Sequence, residues 1–227
     1  MINCSNLTKI YGRGTRLEIC AVKNATLTIP AGSLTVVSGP SGSGKSTLLG
    51  MLALLIRPTK GEVFYNGDEV TAFSDSWRTR VRKENLSFIF QQFNLLPQYK
   101  VWENVAMPLL CRDIAQNSRR KMAVELLSSF GLERRADFKI AQLSVGEQQR
   151  VAIARALITD PRTIFADEPT ASVDSETASA IIDMFLELKD EGKSILAATH
   201  NPTLRERADL RIVLKDGVIV NQGGISG

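Results

Sequence analysis

One nonapeptide constrains this chain more than any other stretch: Gly39-Pro40-Ser41-Gly42-Ser43-Gly44-Lys45-Ser46-Thr47. It follows the apolar run Leu34-Thr35-Val36-Val37, which reads as a buried strand, and opens a helix that starts at Lys45 and ends before Pro58. The pattern GxxxxGK[ST] between a strand and a helix is the context in which such a loop holds phosphate. Its glycines leave no Cβ between the backbone N–H groups and an anion, and the helix N-terminus adds partial positive charge. Lys45 is placed to reach the outer phosphates of a nucleoside triphosphate, and the Ser46 hydroxyl to face a magnesium ion.

The flanking pattern extends this to a fold class. Leu86 to Phe90, Thr163 to Ala166 and Ser194 to Thr199 are continuous apolar or β-branched runs, as expected of strands covered on both faces. A helix over Ser175 to Asp190 puts Ala178, Ile181, Ile182, Phe185 and Leu186 on one side and stops at Gly192. Strands and helices in alternation predict a mainly parallel α/β sheet. Before it, Ala25, Leu27 and Ile29 alternate with threonines up to Pro30-Ala31-Gly32. The strand Glu62 to Tyr65 runs into the hairpin dipeptide Asn66-Gly67. Both belong to an N-terminal antiparallel β subdomain. From about Gln92 to Gln142 no strand is evident, and the approximate span 92–150 reads as an insertion. Helices near Val101–Leu110 and Ser118–Phe130 predict an inserted α-helical subdomain within a single domain spanning 1–227. The tail from Leu210 to Val220 reads as a hairpin turning at Asp216-Gly217.

A triphosphate site needs an acid for its metal. Asp167, ending the strand Thr163–Ala166, is expected beside the phosphate-loop strand, where its carboxylate holds a magnesium-bound water. Glu168 is then free to act as general base toward an attacking water.

Composition excludes several alternatives. Hydrophobic residues make up 44% and charged residues 23%, too apolar for disorder. The longest apolar stretch, Leu48 to Ile56, is far below the roughly 20 residues that cross a bilayer. The opening Met1-Ile2-Asn3-Cys4 has no basic flank leading into an apolar core, so no secretory signal is expected. The net charge of +4 is spread over small clusters, Arg78-Arg80-Arg82-Lys83, Arg119-Arg120-Lys121 and Arg134-Arg135, read as solvated helix faces rather than a nucleic-acid surface. Cys4, Cys20 and Cys111 stand far apart, which fits a reducing compartment, and with His200 they match no zinc-site spacing.

Five further elements, in order, give the chain a resemblance over its whole length to the nucleotide-binding subunits of ABC transporters, P-loop NTPases with the subdomains just described. Gln91 follows the strand Leu86–Phe90 where that family has its Q-loop glutamine. Leu143-Ser144-Val145-Gly146-Glu147-Gln148-Gln149-Arg150 resembles the signature sequence. Ala171-Ser172-Val173-Asp174 is similar to the D-loop, His200 to the switch histidine, and Tyr11 to the aromatic that stacks on adenine. Taken singly these have plainer readings: Tyr11 as an edge-strand aromatic, His200 as a structural strand-end residue, Ser144 with Glu147 as a capping box.

The resemblance implies a mechanism. Two chains pair head to tail around two Mg-ATP, each nucleotide lying between one chain's P-loop and the other's signature. Tyr11 stacks on adenine, and Ser144 and the Gly146 N–H contact the γ-phosphate across the interface. Gln91 senses Mg²⁺ and the attacking water, His200 holds the γ-phosphate, and Asp174 links the two sites. The family's glycine is replaced by Val145, which is acceptable if that residue has helical φ. The resemblance further implies a separate membrane permease, reached through a groove between the Q-loop and the helical lobe. Phe93, Leu95, Leu96 and Tyr99 are candidates for that contact or for the lobe core. The work site is then the cytoplasmic face of the cell membrane, with no nucleic-acid partner. Phe93-Asn94-Leu95-Leu96-Pro97, Glu103–Leu109 and Glu147 resemble the subgroup of lipoprotein-releasing, macrolide-exporting and antimicrobial-peptide transporters. No C-terminal regulatory domain is expected beyond Val220. A cell-division-type ATPase that gates a periplasmic partner uses the same site. A DNA-repair or translation-factor ATPase would need a coiled-coil insertion or a second P-loop, and neither is in the sequence.

Overall fold

Side-chain alternation near the N-terminus produces a long antiparallel pair. In the computed structural model, which describes residues 1–224, β1 (Ile2–Tyr11) runs against β2 (Ile19–Ile29). Ile2 lies opposite Ile29, and Tyr11 opposite Ile19. β1 is hard to read from sequence because bulges between Cys4, Leu7 and Lys9 interrupt its period of two. The chain then enters β3 (Leu34–Ser38), buried throughout, and passes through the glycine-rich loop into α1 (Lys45–Leu52). β4 (Lys60–Tyr65) pairs with β1, and Asn66-Gly67, at φ 51° and 97°, turns it into β5 (Asp68–Glu69). The small sheet thus has the order β2-β1-β4-β5.

The next helix, α2 (Asp75–Asn85), corrects one expectation. Arg80 and Lys83 are exposed, but Arg78 is buried rather than solvated. Leu54, just past α1, takes φ 59° and leaves its carbonyl outside the helical ladder. Arg78 Nη2 donates to that oxygen at 3.0 Å and Arg82 Nη1 at 2.9 Å. Helix ends leave carbonyls unmet, and here two guanidinium groups supply the donors.

The larger sheet contains β3, β6 (Leu86–Ile89), β7 (Thr163–Asp167), β8 (Ser194–Ala198), β9 (Leu210–Lys215) and β10 (Val218–Gly224), in the order β10-β9-β3-β8-β7-β6. All neighbours are parallel except the β9–β10 hairpin. The strand carrying Asp167 is therefore not beside the phosphate-loop strand, as the sequence reading had it. β8 lies between them, which brings the residues after β8 in between the loop and the carboxylates.

Between β6 and β7 lie α3 (Val101–Ala106), a 3-10 turn over Met107–Cys111, α4 (Gln116–Ser129) and α5 (Val145–Leu157). Pro108, without an N–H, accounts for the tighter turn where sequence predicts a helix continuing to Leu110. Val105, Leu109, Leu127, Leu132, Val151 and Ala154 form this lobe's own core, while Ile153 and Ala156 of α5 join the core of the main sheet. Buried Asn104 holds both the N–H and the carbonyl of Leu96. The α6 helix (Ser175–Asp190) packs Ile181, Ile182, Phe185 and Leu188 on the sheet, and α7 (Pro202–Glu206) precedes β9. Among the described residues no helix is long and apolar enough to cross a membrane.

Candidate active site

The carboxyl ends of β3, β7 and β8 converge on a cavity of about 460 Å³ whose lining includes Ser41, Gly42, Lys45, Ser46, Gln91, Asp167, Glu168 and His200. Two glycines of the phosphate loop leave no room for a side chain. A Cβ on Gly39 would lie 2.0 Å from the Leu214 carbonyl oxygen, and one on Gly44 2.1 Å from that of Ala21. Lys45, almost fully buried, donates from Nζ to the carbonyls of Gly39 at 2.9 Å and Pro40 at 3.1 Å. Its third direction meets His200 Nε2 at 3.1 Å. An ammonium only donates, so in this contact the imidazole nitrogen is the acceptor.

Glu168 sits in the left-handed region at φ 49°, a conformation that costs about 1–3 kcal/mol for a non-glycine residue. Its N–H donates to the Ala198 carbonyl at 2.8 Å, pinning β7 to β8 beyond their last ladder pair. The carboxylate is largely shielded, with Oε1 3.4 Å from His200 Nε2 and Oε2 accepting from the His200 N–H at 3.4 Å. Asp167 Oδ1 and Ser43 Oγ are buried and have no hydrogen-bond partner among the described residues. Unmet polar atoms of this kind cost free energy unless a ligand or ordered solvent satisfies them. A carboxylate oxygen calls for a cation or its water shell, and a loop hydroxyl for a phosphate oxygen, so the residues present fit a triphosphate with a divalent ion.

Other predicted residues stand apart from this cavity. Tyr11 ends β1, exposed, with Lys9 Nζ 5.1 Å from its ring centre. It pairs with β2 close to where Ala21 meets Gly44. Ser144 caps α5, accepting from the Glu147 N–H at 3.2 Å while Glu147 Oε2 accepts from the Ser144 N–H at 2.8 Å. Those bonds, chiefly the Ser144 N–H, with Arg135 nearby, hold the Glu147 carboxyl below the usual carboxylate range. Val145 is the first residue of α5 and has no positive φ, so the capped helix forms despite the missing glycine. Asp174 caps α6, and the Thr177 N–H and hydroxyl bonded to it lower its pKa. None of residues 144–150 lines the cavity. Sequence reasoning missed Thr170, Thr199 and Asn201, which do line it. Asn201 was legible as an N-cap, being followed by Pro202, and it accepts from the Leu204 N–H at 3.1 Å.

A family model described as "ABC transporter" matches residues 22–171. The chain belongs to this family. The ABC ATPase is 44% identical over 220 residues to an uncharacterized ABC transporter ATP-binding protein, MJ1508, of Methanocaldococcus jannaschii, covering 97% of this chain and 98% of the relative. It is 40% identical to the lipoprotein-releasing system ATP-binding protein LolD of Paramagnetospirillum magneticum, covering 96% and 97% respectively. A solved dimeric structure of the ATP-binding cassette MJ0796 of M. jannaschii, in a post-hydrolysis state with ADP and Pi, superposes with a TM-score of 0.93 at 39% identity over 100% of both chains. The suspected family and the P-loop NTPase fold are thereby established, and with them ATP as the nucleotide.

Proposed function

We propose that two copies of this ATPase close head to tail on two Mg-ATP and that the cycle drives a separate membrane permease. The observation that carries the reading is the separation of two half-sites. The cavity holds the phosphate loop and the carboxylates, whereas Ser144 and Gly146 present a capped helix N-terminus outside it. A helix N-terminus attracts phosphate oxygens, so the second half-site is complementary to what the first one binds. The dimeric relative supports the same arrangement.

Within one site, residues 39–47 cradle the phosphates, Lys45 exchanges its loop carbonyls for the outer phosphates, and Tyr11 stacks on adenine. Ser46, Asp167 and Gln91 would hold Mg²⁺, which supplies charge neutralisation at the developing transition-state oxygens. Glu168 orients and deprotonates the attacking water, and His200 moves from Lys45 to the γ-phosphate. Asp174 couples the two sites across the interface. Glu168→Gln tests the base: ATP binding should persist, hydrolysis should fall by the ~10²- to 10⁴-fold typical of a positioned base, and a stable dimer should accumulate on size exclusion. Near-wild-type turnover would refute the assignment.

For the permease contact, a mainly apolar groove of about 460 Å³ lies beside the edge strand, lined by Leu55, Phe88, Phe90, Asn94, Pro108 and Cys111. It supports docking there in place of the contacts first named. Phe93, Leu95, Leu96 and Tyr99 do not line it, and Leu95 packs in the lobe core. Likeness to the lipoprotein-releasing ATPase favours an exporter or extraction system, with this chain peripheral on the cytoplasmic face of the membrane. Co-purification of the permease with the tagged chain from solubilised membranes tests that placement.

A further inference from the structure

The backbone just beyond Gln91 makes a turn that no sequence signal marks. Phe93 and Asn94 take φ 58° and 49° in succession. Asparagine tolerates that region, but phenylalanine there is an outlier, and such conformations persist only where surrounding structure over-determines them. The local hydrogen bonds are short-range: the Phe93 N–H donates to the Phe90 carbonyl at 3.0 Å, and that of Asn94 to Gln92 at 2.6 Å. The long-range grip comes from α5. Arg155 Nη1 donates to the Asn94 carbonyl at 2.6 Å, and Nη2 to the Phe93 carbonyl. The planar guanidinium spans both oxygens in one fixed geometry, which an ammonium cannot do.

Arg155 lies about three turns along α5 from Ser144. One helix therefore carries the partner-facing cap at its start and holds, near its end, the turn two residues past a cavity-lining glutamine. We propose that Arg155 is a positioning residue for ATP hydrolysis: its fork fixes the Phe93–Asn94 turn, sets Gln91 in the cavity, and makes Gln91 move with the helix that bears Ser144. This rests on the role given to Gln91 above. A residue that merely completed the lobe's packing would not couple to Gln91.

The test is a double-mutant cycle with Arg155→Lys, which keeps the charge and stem but reaches a single carbonyl. Turnover at saturating Mg-ATP should fall at least about tenfold, since misplacing a group by an ångström costs up to ~10²-fold. ATP affinity measured without divalent ion should change by less than about twofold. In a Gln91→Ala background the same substitution should cost little more, because coupled residues do not act additively. Amide exchange at Phe93 and Asn94 should accelerate in R155K while β6 keeps its protection. Equal losses in both backgrounds, or unchanged exchange at the turn, would overturn the proposal. If R155K is too unstable for kinetics, native-state exchange of the wild type decides: protection of the two amides at the level of α5 supports the grip, and free exchange overturns it. Wild-type turnover by Gln91→Ala alone would remove Gln91's role and the proposal with it, whereas equal losses in both backgrounds overturn the link to Arg155 and leave Gln91's role standing.

Discussion

Val145 stands where this family places glycine, and its position in the helix explains why the exchange is tolerated. Glycine is needed where φ is positive or where a Cβ meets backbone. Val145 meets neither condition, being the first helical residue after the Ser144 cap, and its side chain is about half exposed at 51%. The valine therefore costs the monomer little and adds bulk on the surface where a partner nucleotide is expected. Val145→Gly should keep or raise ATPase activity. Steady-state turnover checks this, with thermal unfolding to register the small loss of helix propensity, at most about 1 kcal/mol. A tenfold fall in turnover at unchanged melting temperature would show that the valine is itself a required contact.

Among the elements, the C-terminal hairpin supports the phosphate loop. The Gly217 N–H at the β9–β10 turn donates to the Ser43 carbonyl at 3.0 Å, and the Gly217 carbonyl accepts from the Lys23 N–H of β2 at 2.8 Å. A Cβ on Gly217, at φ 77°, would sit 3.0 Å from the Ala21 carbonyl oxygen. Gly217→Val should cost about 1–3 kcal/mol from the backbone conformation and, by displacing the loop, weaken ATP binding as well. Gly67→Val supplies the contrast. That glycine also has positive φ, at 97°, but a Cβ there would meet nothing within 4 Å among the described residues, so stability should fall while ATP affinity holds. Thermal unfolding and nucleotide titration of both variants decide it, and equal affinity losses would sink the idea. The Asp216-Gly217 turn was legible from its dipeptide, as were Asn66-Gly67, the α/β alternation and the P-loop, because local backbone chemistry dictates each of them. What the hairpin turn touches was not legible, since it bonds to a loop more than 170 positions away. The order of β3, β8 and β7 and the burial of Arg78 escaped for the same reason: both are set by packing between segments distant in the chain. Of the cavity itself, the phosphate loop, Gln91, Asp167, Glu168 and His200 were singled out from sequence, whereas Thr170, Thr199 and Asn201, which also line it, were not. The His200–Lys45 contact and the distance of Ser144 from the cavity are tertiary facts.

At the scale of the whole molecule, the two half-sites face different surroundings, and that fixes how rate must depend on concentration. In one chain the carboxylates and the phosphate loop share a cavity that the Ser144 helix cap does not line. If hydrolysis needs the cap of a second copy, the active species is a dimer stabilised by the nucleotide, and its population follows mass action. In dilute solution, turnover per chain should rise in proportion to protein concentration and level off once pairing saturates. Sedimentation with ATP and the Glu168→Gln chain, whose dimer hydrolysis no longer releases, should show pairing at or below that concentration. A permease that holds two copies side by side replaces bulk concentration with a fixed effective one, set by the distance between its docking sites. Reconstituted with that partner, turnover per chain should therefore become independent of dilution, while free chains in the same buffer lose activity. A rate per chain that stays flat on dilution of the free protein, at concentrations where sedimentation with ATP finds only monomer, would mean that one polypeptide contains a complete site.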